Sequence, residues 1–228
     1  MNILSVDTTT KKAVVTLKKD DKIYENEIDN EVTHSEKFLP LIDKTLKDAS
    51  INLKDIDKYL ILNGPGSFTG IRISLATLKA INYVYNKPIF SISSMEALAF
   101  LGFKNSNKKY ISCFIDAKND RVYFCLYRLE KIDNKISIFP LFDIKNDYFE
   151  DAIKTVNIFL DENDIKEEDL FSIGNIENLN LKAYPNTLDL LDIYKNIENE
   201  KNYLFDTYTL NAIYARPSQA ERVKNGER

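Results

Sequence analysis

The order of apolar and polar positions predicts an α/β chain whose first hundred residues begin with strands and continue with alternating helices and strands. Short apolar segments between polar turns are typical of strands, whereas apolar residues at spacings of three and four are typical of a helix. The predicted strands lie at 3–7, 13–17, 22–28, 59–62 and 88–92. The predicted helices lie at 34–48, with Thr33 and Glu36 as a capping box, at 69–85, and from Ser93 or Ser94 to about Leu101.

A similar succession follows the polar stretch 102–109, where we place a domain boundary. The predicted elements beyond it are a hairpin of Tyr110–Asp116 and Arg121–Leu129, helices at 147–162 and 186–204, and a short strand near 171–173. Strands followed by alternating helices and strands, twice over, indicate an α/β fold in two similar halves. We therefore predict an N-terminal lobe at 1–106 and a C-terminal lobe at 107–228.

The helix predicted at 69–85 has an unusually wide apolar surface. Its charged residues are Arg72 and Lys79, seven residues apart on one narrow stripe, and apolar residues cover most of the remaining surface. One domain core does not need so much apolar surface. Either both sides of this helix are buried within the fold, or one side contacts another subunit.

Composition narrows the class of protein. The 228 residues are 44% hydrophobic and 29% charged, which is ordinary for a globular chain, and the net charge is -4. A chain that held nucleic acid by itself would show a basic stripe. The most basic segment here is the tail, which also carries acidic residues; its basic residues are Arg216, Arg222, Lys224 and Arg228.

We see neither a signal peptide nor an apolar segment of membrane-spanning length, so we expect a cytoplasmic protein. Its cysteines, Cys113 and Cys125, are expected to be thiols that face each other across the hairpin.

A glycine-rich turn at 63–70 is the first candidate for chemistry. Its sequence, Asn-Gly-Pro-Gly-Ser-Phe-Thr-Gly, leads into the helix at 69–85. Such a turn can hold an anion on free backbone N–H groups, but this one lacks the lysine of a P-loop. The alternative is a tight strand-to-helix turn in which Gly64, Gly66 and Gly70 permit close packing.

The second candidate is the turn that starts at Asp7 and continues with Thr8, Thr9 and Thr10. An aspartate at the end of a first strand, followed by hydroxyl residues, can hold a magnesium-bound phosphate. The same residue types are also common in ordinary turns. Both interpretations stay open at this point.

Other reaction classes find no support in the residue pattern. His34 is the only histidine and has no second ligand at helical spacing, so no metal site is predicted. The cysteines lack CxxC spacing, and a nucleophile elbow of the form Gly-x-Ser-x-Gly does not occur. No catalytic constellation is therefore predicted, peptidase chemistry included.

Taken together, these segments resemble the TsaB (YeaZ) family. The most specific match is the glycine-rich segment continued by Ile71-Arg72-Ile73, because the family typically reads Gly-Pro-Gly-Ser-Phe-Thr-Gly-Leu-Arg there. Supporting matches are the Asp-Thr-Thr turn, His34-Ser-Glu, Pro40-Leu, Ser94-Met-Glu-Ala-Leu, Ile115-Asp-Ala, Val122-Tyr, Tyr214-Ala-Arg and Ala220-Glu. The sequence departs from the family at Lys118-Asn119-Asp120-Arg121, usually Arg-Arg-Gly-Glu, and at Ile176, often glycine. The second departure weakens a nucleotide-binding turn at Gly174.

The resemblance implies an actin-like (ASKHA, ribonuclease H-like) fold with two similar lobes and kinship with the catalytic transferase TsaD. In TsaD a His-x-x-x-His pair holds the metal, and the matching positions here are Ser94 and Leu98. Leucine has no donor atom, so the metal ligands are missing. The resemblance leaves at most a vestigial phosphate site for ATP or ADP, with Asp7, Thr8, Thr9 and Gly174 as its residues, and no required cofactor.

The family also pairs through two helices of the first lobe, which resemble 34–48 and 69–85. The implied partner is TsaD in a heterodimer, with further contact to TsaE, with tRNA reached only through the complex, and with a homodimer when the partner is absent. The residues predicted to contact the partner are Phe38, Leu41, Leu46, Ile71, Leu75 and Leu78. Periodicity alone does not tell which of them face the core.

The implied function is that of a non-catalytic subunit. It would support TsaD in forming N6-threonylcarbamoyladenosine at position 37 of tRNAs that read codons beginning with A. The alternative is an ASKHA-type ATP-dependent phosphotransferase that uses Asp7 beside magnesium and Gly174 in an adenosine turn.

Overall fold

The structure, a computed structural model, describes residues 1–29 and 34–215, with side chains from Glu36 onward in the second range. Two six-stranded sheets organise the chain. The strands of the first sheet are β1 (Asn2–Asp7), β2 (Lys12–Lys19), β3 (Lys22–Asp29), β4 (Lys58–Leu62), β5 (Ile89–Ile92) and β12 (Leu204–Phe205). The strands of the second are β6 (Tyr110–Asp116), β7 (Arg121–Ile132), β8 (Lys135–Pro140), β9 (Lys145–Tyr148), β10 (Leu170–Gly174) and β11 (Leu181–Lys182).

The two sheets share one topology. The first runs β12-β5-β4-β1-β2-β3, with β1, β2 and β3 antiparallel and β1, β4 and β5 parallel. The second runs β11-β10-β6-β7-β8 with the same directions, and β9 pairs with β7. The prediction of two similar halves is therefore confirmed.

Five helices complete the described fold: α1 (His34–Asp48), α2 (Phe68–Tyr85), α3 (Ser94–Ser106), α4 (Phe149–Glu162) and α5 (Thr187–Asn196). α1 and α2 lie on the outer face of the first sheet, and α4 lies on the outer face of the second. α3 and α5 lie between the sheets, where side chains of both sheets join one apolar cluster. The described halves are not identical: residues 175–180 form no helix corresponding to α2, β9 has no counterpart in the first sheet, and β12 has none in the second.

Most predicted elements agree with the structure within a few residues, and two predicted helices end at other positions. α3 continues through Gly102 to Ser106, because the apolar face of its last turns packs on Ile111 and Ile173 of the second sheet. β8 and β9 were not predicted. The helix predicted at 186–204 ends at Asn196, because the following residues pair with β8: Glu198 donates its N–H to the carbonyl of Ile136.

The chain after α5 returns to the first lobe. A 3-10 turn leads into β12, which pairs antiparallel with β5, and Leu210 is fully buried in the cluster under α1 and α2. The Ile213 N–H donates to the carbonyl of Asn63. The domain boundary between residues 106 and 107 stays a prediction. The last ten described residues, which that boundary assigns to the C-terminal lobe, lie against the first lobe.

Candidate functional site

The Asp7 turn lies at the end of β1, beside the ends of the parallel strands β4 and β5. Asp7 is buried, and its Oδ1 accepts hydrogen bonds from the Thr9 N–H at 2.8 Å and the Thr9 Oγ1 at 2.6 Å. Burial raises the pKa of Asp7 to about 6, against the opposing effect of the Thr9 hydrogen bonds. The Asp7 carboxyl thus has hydrogen-bond partners within its own turn. Its burial nevertheless makes ionisation of this carboxyl unfavourable.

The glycine-rich turn packs directly on the Asp7 turn. The Ser67 N–H donates to the Thr9 carbonyl at 2.7 Å, and the Thr8 Oγ1 donates to the Gly70 carbonyl at 2.6 Å. A Cβ added at Gly70 would lie 1.7 Å from the Thr8 carbonyl oxygen, so only glycine fits at this contact. Cβ atoms at Gly64 and Gly66 would lie 2.7 and 2.8 Å from backbone oxygens. This geometry supports the interpretation of a tightly packed turn.

Tyr184, which lies between β11 and α5, closes the same region from the second lobe. Its hydroxyl donates to the Thr9 Oγ1 at 3.0 Å and lies 3.4 Å from the Pro65 carbonyl oxygen. Burial raises the pKa of Tyr184, and the nearby Asp7 carboxyl raises it further. The hydroxyl therefore stays protonated and joins the two turns to each other.

Gly174 lies at the end of β10, the strand equivalent to β4. A Cβ there would lie 1.9 Å from the carbonyl oxygen of Phe114 in the paired strand, and the Gly174 carbonyl accepts from the Ala183 N–H at 2.7 Å. Close strand packing thus accounts for this glycine. The Asp7 Oδ1 and the hydroxyls of Thr8 and Thr9 are engaged in hydrogen bonds within the chain. Whether this turn holds a phosphate stays a prediction.

The positions that match the metal ligands of TsaD lie on α3. Ser94 and Leu98 are both fully buried between the sheets. Within residues 1–29 and 34–215, no three His, Cys, Asp or Glu side chains come close enough to hold a metal ion. Cys113 and Cys125 are opposite each other in the β6–β7 register, as predicted, and both are buried free thiols.

All six residues predicted to contact a partner are buried in the chain's own core. They hold α1 and α2 on the first sheet; they are Phe38, Leu41, Leu46, Ile71, Leu75 and Leu78. A partner on this surface would meet different side chains. Whether the two helices bind a partner stays a prediction.

The outward side of α2 carries an apolar stripe that we call the α2 face. It consists of Ala76, Ala80, Tyr83 and Val84, and the half-buried Ile73, which also packs against the core, lies at its edge. Tyr83 and Val84 are each 71% exposed, and Leu39 on the neighbouring helix α1 is 54% exposed. This stripe lies opposite the buried side of α2, so the helix is apolar toward both its core and its surroundings.

Sequence reasoning missed two features of this region. Tyr184 gave no local signal, because it reaches the Asp7 turn from 175 residues away along the chain. The exposed side of α2 did have a signal: Arg72 and Lys79 mark it, and the small residues Ala76 and Ala80 lie beside them.

Several predictions fall on residues that the structure does not describe. These are Thr33 as a cap, the side chain of His34, and the basic tail from Arg216 onward with its family motif. Within the ranges that are described, no helix is long and apolar enough to span a bilayer.

Comparison with known proteins agrees with this architecture. The family model described as TsaD, tRNA N6-adenosine threonylcarbamoyltransferase, matches residues 26–171, more than half of the chain. The chain is 36% identical over 125 residues to the tRNA threonylcarbamoyladenosine biosynthesis protein TsaB of Buchnera aphidicola subsp. Schizaphis graminum, covering 55% of this chain and 60% of that protein. It is 30% identical over 133 residues to the TsaB of Haemophilus influenzae, covering 58% and 56%. The matched region thus spans little more than half the length of these curated relatives.

Among solved structures, YeaZ from Pseudomonas aeruginosa superposes with a TM-score of 0.69 at 18% identity, over 93% of this chain and 100% of that chain. This likeness confirms the actin-like fold with two similar lobes. The chain therefore belongs to the family described as TsaD, tRNA N6-adenosine threonylcarbamoyltransferase, and within it to the TsaB (YeaZ) group.

Proposed function

We propose that this chain is a non-catalytic subunit in the biosynthesis of N6-threonylcarbamoyladenosine in tRNA. It would bind a TsaD-type transferase and support its reaction at position 37 of tRNAs that read codons beginning with A. The printed names of the TsaB relatives refer to this biosynthesis, and a family model named for TsaD matches the chain. Both findings support the proposal.

The α2 face is the main observation in support of binding to a TsaD-type partner. A helix whose inner side is already filled by its own core gains nothing within the chain from a second apolar side. The small residues Ala76 and Ala80 let another helix approach closely, while Tyr83 and Val84 supply apolar area. A partner of the same fold would present two equivalent helices, and together with α1 and α2 they would form a four-helix contact.

Other assembly steps follow from this pairing as parts of the same proposal. A second copy of the chain occupies the surface when TsaD is absent. TsaE is a further contact of the assembly. The tRNA is reached only through the complex, since the chain has a net charge of -4. The assembly works in the cytoplasm.

The non-catalytic role is supported by the interior of the candidate site. Asp7 is held by Thr9, the Tyr184 hydroxyl contacts the same threonine, and the two turns touch each other. The phosphotransferase alternative needs these groups free for Mg-ATP. A calorimetric titration with Mg-ATP or Mg-ADP should give no heat of binding at micromolar protein, and saturable binding with ATP turnover would favour the alternative.

Co-elution with TsaD in size-exclusion chromatography tests the proposed pairing. We expect the unmodified chain to co-elute at micromolar concentration and Ala80→Asp to weaken the affinity by about 100-fold or more, because an unpaired charge would be buried. Ile158→Asp is the matched control, since Ile158 is 57% exposed on α4 of the other lobe. Separate elution of the unmodified chain and TsaD, or equal effects of both variants, would contradict the proposal.

A further inference from the structure

We propose that Arg72 binds a carboxylate side chain of the partner subunit, and that the partner surface facing α2 is therefore acidic. This inference rests on the proposed function and adds the chemistry of the partner to it. Four features of α2 and its surroundings support it.

The first feature is the way in which Arg72 is held. Its guanidinium carbon lies 3.9 Å from the ring centroid of Phe68, and its Nε donates to the Tyr214 hydroxyl at 3.0 Å. The two rings are themselves in contact, with centroids 4.9 Å apart. The side chain is thus fixed before any partner arrives, so binding costs little side-chain entropy.

The second feature is the absence of a carboxylate beside Arg72 among the residues that the structure describes. In the part of the chain that the structure describes, no Asp or Glu oxygen lies within 4.0 Å of its guanidinium nitrogens. Its Nε is engaged by Tyr214, whereas the terminal nitrogens form the fork that suits a carboxylate. An exposed arginine held in this way offers a ready anion contact.

The third feature is the sign of the surrounding charge. Although the whole chain is acidic, no Asp or Glu occurs between Asp57 and Glu96, and the charged residues in that stretch are Lys58, Arg72, Lys79 and Lys87. Lys58 is paired with Glu200, which leaves three cations on or beside α2. The first turn of α2 also lacks an acidic residue to offset the positive end of the helix dipole. The charge on this surface favours an acidic partner.

The fourth feature distinguishes a protein from RNA. Arg72 and Lys79 lie along one edge of the α2 face, and the remainder of that face is apolar or small. RNA binding draws its affinity from several phosphate contacts along a basic track, whereas a protein interface combines an apolar centre with a few charged anchors. A second copy of the chain would bring α2 cations toward each other, so a different protein with acidic residues fits this surface better.

The test measures the dissociation constant for purified TsaD with Arg72→Glu, Arg72→Gln and Arg72→Lys, each checked for folding by circular dichroism. We expect losses of about tenfold or more for Arg72→Glu, a smaller loss for Arg72→Gln, and partial retention by Arg72→Lys, which cannot form the planar fork. Arg128→Glu is the control, because Arg128 is half-exposed on the other lobe and also lies over an aromatic ring, 4.9 Å from that of Phe139, but already pairs with a carboxylate of its own chain, Glu130. Affinity of the unmodified chain should fall as salt is raised, and less steeply for Arg72→Gln.

The outcomes separate this inference from the proposed function. If Ala80→Asp abolishes binding while all Arg72 variants bind like the unmodified chain, the surface is the interface but the carboxylate contact is wrong. If the unmodified chain does not bind TsaD, the proposed function itself fails. Binding of a tRNA anticodon stem-loop to the chain alone, lost in Arg72→Gln, would overturn the inference in favour of RNA.

Discussion

Replacing Asp7 by asparagine should make the protein more stable at neutral pH. The folded state raises the pKa of Asp7 from 3.8 to about 6, so folding favours the protonated carboxyl. Stability is then lost as the pH rises through this range, and the full penalty applies above pH 6. A shift of this size corresponds to about 3 kcal/mol at most.

Asparagine keeps the Oδ1 that accepts both hydrogen bonds from Thr9, and it removes the charge. Its new amide N–H groups need acceptors, which offsets part of the gain. We therefore expect Asp7→Asn to raise the free energy of unfolding by about 1–3 kcal/mol at pH 7.5, and by little at pH 4, where the Asp7 carboxyl of the unmodified folded chain is protonated and carries no charge.

Urea unfolding followed by circular dichroism at pH 4, 5.5 and 7.5 measures this difference. Asp43→Asn serves as the control, because Asp43 is exposed on α1 in an ion pair with Lys47. A loss of stability for Asp7→Asn at pH 7.5, or a gain that does not change with pH, would refute the reasoning from burial.

The remaining predictions concern packing around the same lobe. Gly70→Ala should lower the free energy of unfolding by about 3 kcal/mol or more, because the added methyl would meet the Thr8 carbonyl; a melting temperature within about 2 °C of the unmodified chain would show that the contact is loose. Tyr184→Phe should cost about 1 kcal/mol in urea unfolding, since the hydrogen bond to Thr9 is lost while the ring remains, and an unchanged midpoint would contradict that bond. Leu78→Ala should cost about 2–5 kcal/mol without weakening the binding of the folded protein to TsaD, and a selective loss of binding would place Leu78 at the interface.

Local patterns of apolar and polar residues were sufficient to predict most helices and strands of the first lobe. β1, β2 and β3 each combine apolar residues with clear polar turns, and the helical spacing from Phe38 to Leu46 gave α1 its observed bounds. Elements that depend on distant partners were missed. β9 has the polar sequence Lys-Asn-Asp-Tyr and pairs with β7, where Arg121 donates hydrogen bonds to Asn146.

The orientation of α2 shows where periodicity stops being informative. Apolar residues occupy nearly the whole circumference, so Leu75 and Leu78 looked as suitable for a partner as Ala76 and Ala80. Packing on the first sheet determines which side of α2 faces inward, and Leu75 and Leu78 lie on that side, in the core. The charged residue Arg72, which lies beside the exposed stripe, was the local clue to the outer side.

Tyr184 shows the same limit for the candidate site. The Asp-Thr-Thr turn and the glycine-rich turn were recognisable as candidates, and the sequence left open whether they bind phosphate or only pack. Their contact with each other and with a tyrosine from the other lobe depends on the tertiary fold. The spacing of residues along the chain does not predict this three-way contact.

Reconstitution of tRNA modification tests the central proposal most directly. Threonylcarbamoyladenosine formed on tRNA would be quantified by mass spectrometry with TsaD and the other biosynthetic components of the same organism, with and without this chain. We expect product only when the chain is present, and strongly reduced product with Ala80→Asp. Full product without the chain, or product formed by the chain in the absence of TsaD, would contradict the role of a non-catalytic supporting subunit.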